Sequence, residues 1–182
     1  MLRAAIPIIV TIALLIALTG AAEAETPLVY INPDSSYVPH NSVFTLEVRV
    51  SAATTSLMGY NIAVTFDPSI LQLQSVDEGS LPLTSGFTTF FHWLNPASTD
   101  SVHVNGAILG NTVNGPGTLF TLTFKAWSPD DTQATDVIIA HSVIRDGVNQ
   151  NIAHTVQNGH VLVESPIAVE SATWGAVKAL YR

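Results

Sequence analysis

Gly59-Tyr60-Asn61-Ile62-Ala63-Val64-Thr65-Phe66 is the stretch that decides the fold. Tyr60, Ile62, Val64 and Phe66 are large and apolar, while Asn61, Ala63 and Thr65 between them are small or polar. Successive side chains of an extended strand point to opposite faces, so this period of two buries one row and leaves the other wet. That is the signature of an antiparallel sheet with one face on a core. Asp67-Pro68-Ser69 then stops the strand with turn chemistry.

The same alternation recurs on both sides of this stretch. Phe44, Leu46, Val48 and Val50 alternate with Thr45, Glu47 and Arg49. Phe120, Leu122, Phe124 and Ala126 alternate with Thr121, Thr123 and Lys125. Less regular strands are predicted over 28–32, 70–76, 88–94, 101–109, 137–145 and 160–163, which makes about nine. Turn signals separate them, among them Asn32-Pro33-Asp34, Glu78-Gly79-Ser80, Asn114-Gly115-Pro116-Gly117, Asp146-Gly147 and Asn158-Gly159. Helical periodicity is absent from 28 to 164, so parallel crossovers through helices are not expected. The expected fold is all-β, a nine-stranded antiparallel jelly-roll or β-sandwich.

Composition narrows the function. The chain has 182 residues, with 6 Lys+Arg against 14 Asp+Glu, a net charge of -8 and no Cys. Disulfides, Cys-ligated zinc and cysteine nucleophiles are excluded. Six scattered basic residues make no polyanion patch, so no nucleic-acid partner is expected. Residues 1–24 read as a signal peptide: Arg3, an apolar run from Ala4 to Leu18, then Ala22-Glu23-Ala24 as a small-x-small cleavage site. The run is shorter than the roughly 20 residues of a spanning helix. The mature chain is therefore expected to be secreted, extracellular or at the cell surface, with no transmembrane anchor. Three segments result: 1–24 signal peptide, 25–164 binding domain, and 165–182 a C-terminal tail. The domain carries 12 acidic and 3 basic residues, whereas the tail has Lys178 and Arg182 against Glu170. Trp174, Val177 and Tyr181 fall on one helical face of that tail. With Lys178 and Arg182 they form a candidate sorting or attachment segment.

Three motifs together resemble a cohesin domain, the receptor module that holds dockerin-bearing enzymes on cellulosome scaffolds. The first is Val43 to Val50 followed by Met58 to Leu71, with its aromatic-Asp-Pro turn. The second is Ser75-Val76-Asp77-Glu78-Gly79-Ser80-Leu81. The third is Gly117-Thr118-Leu119-Phe120-Thr121-Leu122-Thr123-Phe124-Lys125-Ala126. Asp146-Gly147 and 158–163 also fit the end of such a domain, so the resemblance spans about 28–164. It implies a non-catalytic jelly roll that binds a dockerin through one strand face. Carried onto this sequence, the partner-binding residues are Asn61, Ala63 and Thr65 on one strand and His103 and Asn105 on another. Ala107 is the next outward residue beyond Asn105. Asn41 stands where such domains often carry Gly, and Asn tolerates left-handed backbone. A cellulosomal role in polysaccharide breakdown follows from the same resemblance.

Other constellations carry less chemistry. Trp93 and Trp127, with Phe91, are a candidate sugar platform, because flat aromatic rings stack on apolar sugar faces. That makes a carbohydrate-binding module with a polysaccharide partner the alternative reading, although both sides of the 88–94 strand are apolar and suggest burial. A structural surface protein sorted by its tail is a third reading. His40, His92, His103, His141, His154 and His160 show no ligand spacing, so no metal site is expected. His92 and His103 are the two that could be cross-strand neighbours. Asp130-Asp131 is the one place where structural calcium would find oxygens, and a solvated turn accounts for the pair as well. No cofactor is expected. No nucleophile elbow, zincin motif or phosphate loop occurs, and Glu47 is the clearest acid inside a strand, so no enzyme is expected.

Overall fold

A computed structural model describes residues 25–94, 100–127 and 131–165. The expected leader 1–24 and the tail residues Trp174, Lys178, Tyr181 and Arg182 lie outside them. The strands are β1 (Leu28–Asn32), β2 (Ser35–Val38), β3 (Val43–Val50), β4 (Leu57–Thr65), β5 (Leu71–Glu78), β6 (Thr89–Leu94), β7 (Ser101–Ile108), β8 (Gly117–Ala126), β9 (Gln133–Asp146), β10 (Thr155–Gln157) and β11 (Gly159–Val163). One short helix, α1 (Ser80–Leu83), follows β5.

Two sheets form the sandwich. The five-stranded sheet runs β10-β1-β3-β8-β5, and the six-stranded sheet runs β2-β11-β9-β4-β7-β6. The period-two residues meet between them. Tyr60, Ile62, Val64 and Phe66 from one sheet and Leu46, Val48, Val50, Phe120, Leu122 and Phe124 from the other are all buried in one core. Phe66 meets Phe124 edge-on at 4.9 Å between ring centroids. The alternation read in 43–50, 59–66 and 118–126 thus predicts the buried face of each strand correctly.

Three expectations need correction. Eleven strands are described rather than nine, because Ser35–Val38 and Thr155–Gln157 are too short to show a pattern. The sheets are also not purely antiparallel: β1 pairs with β10, and β2 with β11, in parallel. No helix is needed for these pairs, since nearly the whole domain lies between their partners. At each terminus the chain changes sheets within one corner, at Pro33-Asp34 after β1 and at Asn158 after β10. Gly159 permits the second corner, because a Cβ there would come within 2.7 Å of Ile31 Cγ2. Finally, Glu78-Gly79-Ser80 is no simple turn: Glu78 ends β5 and Ser80 opens α1. Asn41, read as a left-handed position, has φ 61.

One side chain ties the sheets together beneath β4. The Tyr60 hydroxyl donates to the Leu119 carbonyl at 3.1 Å, and its ring stacks on Phe120 at 6.1 Å. Burial pushes the Tyr60 phenol well up, and the nearby Glu78 carboxylate adds to it. The neutral phenol is therefore the form the fold holds. Its stabilising contribution is intact below the ordinary tyrosine value of about 10 and is lost as pH rises beyond it. The Leu119 carbonyl also accepts from Gly79 N at 2.8 Å, so it keeps one partner without Tyr60. Tyr60→Phe is expected to cost about 1 kcal/mol near neutrality and to remove part of the alkaline loss. Urea titrations at pH 7 and at high pH check both; equal alkaline sensitivity in the two proteins would contradict the assignment.

Candidate docking face

The outer surface of the six-stranded sheet is set by register. Opposite Asn61 stand Asn105 on β7 and Val143 on β9, and His92 on β6 faces Asn105. One step along, His103 and His141 flank Ala63, and Leu94 faces His103. On the other side, Ala107 and Arg145 flank Gly59, and Phe90 faces Ala107. Thr65, Ser101 and Ile138 make a fourth row. Sequence reasoning placed Asn61, Ala63, Thr65, His103 and Asn105 here, and the register brings all five together.

Their exposure differs. Asn61 and His103 are exposed, and Asn105 and Thr65 are half-buried. Ala63 lies on this face yet is only 4% exposed, so it is floor rather than contact surface. The Asn61 side-chain amide donates to Asn105 Oδ1 at 2.7 Å. That pairing fixes both side chains and keeps the Asn61 carbonyl and further Asn105 amide hydrogens for a partner. In the third row, two small residues separate two large ones. The result is a depression of about 370 Å³ with Asn61, Phe90, Asn105, Ala107, Val143 and Arg145 in its wall.

Several members escaped the sequence reading. Phe90 is 52%, Leu94 56% and Ile138 40% exposed, and Phe90 lies alongside the His92 ring at 6.3 Å. The expectation that 88–94 is core or covered holds for Phe91, which packs half-buried against the core, and fails for Phe90, His92, Trp93 and Leu94, which are exposed because β6 is the margin of its sheet. A marginal strand can be apolar on both sides without being central, and composition does not separate the two cases. His92 could have been found from alternation once β6 was placed beside β7, whereas His141, Val143 and Arg145 reach this face through the bulge opposite Ala63 and Val64, which reverses the phase set by buried Val137 and Ile139.

The opposite sheet presents a different surface. Along its outer side Glu47 and Asp77 flank Thr121, Val43 and Gln72 flank Lys125, and Thr45 and Ser75 flank Thr123. Arg49 contacts Glu47 at 3.3 Å. This is an ordinary solvated face of threonines and mixed charges. The four rows on β6, β7, β4 and β9 hold no carboxylate at all.

The candidate sugar platform is divided. Trp93 belongs to β6 of the six-stranded sheet, while Trp127 follows β8 of the five-stranded one, its backbone N–H on Ile70 O at 2.7 Å. Trp93 is 37% and Trp127 39% exposed, and Trp127 lies 5.0 Å from the His40 ring. The two rings share no row. Among the described residues no three His, Asp or Glu converge as metal ligands, and Asp130 of the Asp130-Asp131 pair is outside them. The Ser142 hydroxyl and His154 Nε2 are 2.8 Å apart, with His154 Nδ1 on Ile152 O. No helix among the described residues is long and apolar enough to cross a membrane.

The family model for the cohesin domain matches residues 29–163. This chain belongs to the cohesin domain family. Solved cohesins share its fold. A non-cellulosomal cohesin from the hyperthermophilic archaeon Archaeoglobus fulgidus superposes with a TM-score of 0.61 at 17% identity, covering 81% of this chain and 96% of that one. The sixth cohesin of Acetivibrio cellulolyticus scaffoldin B, solved with a Cel5 dockerin mutant, gives 0.64 at 20% identity, covering 77% and 100%. The OlpC cohesin of Clostridium thermocellum, solved with the dockerin Doc435, gives 0.61 at 12% identity, covering 80% and 99%. No curated protein matches this chain. At these identities the structural likeness speaks for the fold, and the cohesin reading of the sequence motifs agrees with it.

Proposed function

We propose that this cohesin domain is a non-catalytic receptor that docks a dockerin-type protein on the outer face of β6, β7, β4 and β9. The observation that carries the proposal is the contrast between the two sheet surfaces. One bears mixed charges and threonines. The other combines exposed Phe90, Leu94 and Ile138 with a paired Asn61–Asn105 and a depression beside Phe90. Interfaces concentrate binding energy where an apolar anchor fills a desolvated pocket inside a polar surround. The depression would take one aliphatic side chain of the partner, and Asn61 and Asn105 would fix its orientation. Two of the three cohesins named above are solved with dockerins, which supports the partner class. Export by residues 1–24 and attachment through Trp174, Lys178, Tyr181 and Arg182 belong to the same proposal, and rest on the sequence patterns alone.

Isothermal titration of the purified protein against singly expressed dockerins of the same genome tests the proposal. A dockerin that saturates at one to one is the expected outcome. Retention on cellulose or xylan, lost in Trp127→Ala and with no dockerin bound, would instead favour the carbohydrate reading.

A further inference from the structure

The docking face has an unusual charge balance. The chain carries 14 acidic residues and only 6 basic ones. Yet the four cross-strand rows hold His92, His103, His141 and Arg145 and no carboxylate. His103 and His141 stand on either side of Ala63, and His92 faces Asn105 in the next row. Three imidazoles are thus distributed across the centre of the surface, on three different strands. His92, His103 and His141 are all exposed.

The charged groups around them come from every neighbouring element. β4 contributes none to the outer face between Gly59 and Thr65. β9 contributes Arg145, whose Nη1 donates to the Asn149 carbonyl at 3.0 Å. Asp136 lies further along β9 and already holds His160 Nδ1 at 2.8 Å. Asp67 follows β4 and accepts from Ser69 N and Oγ at 2.8 and 2.6 Å. Asp100 precedes β7, beyond the last row, and His154 turns to Ser142 from the segment after β9. Among the described residues, no acid is seated among the three imidazoles.

We infer that the partner supplies the missing sign: it presents Asp or Glu carboxylates to His92, His103, His141 and Arg145, and the complex tightens as pH falls. This rests on the docking reading above and names its partner chemistry. An acidic partner side chain favours the protonated imidazole, so binding takes up protons. Imidazole as a class changes charge between about pH 5 and 8, where carboxylates are already ionised, so affinity rises as pH drops from about 7.5 to 5.5. A partner presenting Lys or Arg would be repelled over the same range.

A display library on the Cel5 dockerin scaffold, with its surface positions randomised, tests this by selection on the purified protein at pH 6. The expected result is enrichment of Asp and Glu. Individual clones should bind at least about tenfold more tightly at pH 5.5 than at 7.5, a gain abolished in His92→Gln/His103→Gln/His141→Gln. Enrichment of Lys or Arg, or clones with flat pH profiles that still lose binding in Ala63→Arg, would overturn the inference and leave the docking face standing. Clones indifferent to Ala63→Arg, or no enrichment at all, would overturn both.

Discussion

Gly106→Val is expected to lower the unfolding free energy by about 3 kcal/mol, because overpacking a finished core forces rotamers and backbone to move. Gly106 pairs with Tyr60 across β7 and β4. A Cβ at Gly106 would lie 2.1 Å from Tyr60 Cζ and 2.4 Å from its hydroxyl oxygen. The ring has no room to yield, being 6% exposed and stacked on Phe120. Displacing it also breaks the bond to Leu119 O, the one that joins the two sheets under the docking face. Urea unfolding with an unchanged m-value reads the loss as stability alone. The cost should shrink in a Tyr60→Ala background, since residues in contact do not add independently. A loss below about 1 kcal/mol, or full additivity with Tyr60→Ala, would mean that the ring does not occupy this space.

Ala63→Arg is expected to weaken dockerin binding by at least about a thousandfold, roughly 4 kcal/mol. Ala63 is the floor of the docking surface, between His103 and His141. A guanidinium raised from that floor holds a flat partner away from every row at once, a steric loss that outweighs the attraction of one added cation for partner carboxylates. Stability should change by no more than about 1 kcal/mol, since the new side chain points away from the core. Thr121→Arg, on the outer side of the opposite sheet, should leave the dissociation constant within about twofold. The pair of variants separates a loss at this face from a general effect of charge. Retained binding in Ala63→Arg with loss in Thr121→Arg would move the interface to the other sheet.

The sequence made the core legible and the docking face partly so, for one physical reason. Burial imposes a period of two on a strand with one wet face, and Tyr60, Ile62, Val64 and Phe66 obey it without exception. Asn61, Ala63, Thr65, His103 and Asn105 follow as the complementary phase. Strand neighbours are another matter. Nothing in Thr89–Leu94 says that it ends a sheet, so Phe90, Trp93 and Leu94 read as core with Phe91 when they are exposed. The parallel pairs β1–β10 and β2–β11 join the two ends of the domain, a separation over which local pattern carries no signal. The third-row depression depends on Gly59 and Ala107 falling between Phe90 and Arg145, which only register reveals. Trp93 and Trp127 show the converse: both are exposed aromatics, but a platform needs them on one sheet and they stand on two.

Amide hydrogen exchange of the protein, free and saturated with a dockerin, tests the central claim most directly. Bound partner should slow exchange in 59–65, 89–94, 101–108 and 138–145, the four strands of the docking face, and leave Val43–Val50 and Leu71–Glu78 unchanged. Protection confined to those last two strands, or to the segment around Trp127, would contradict the account.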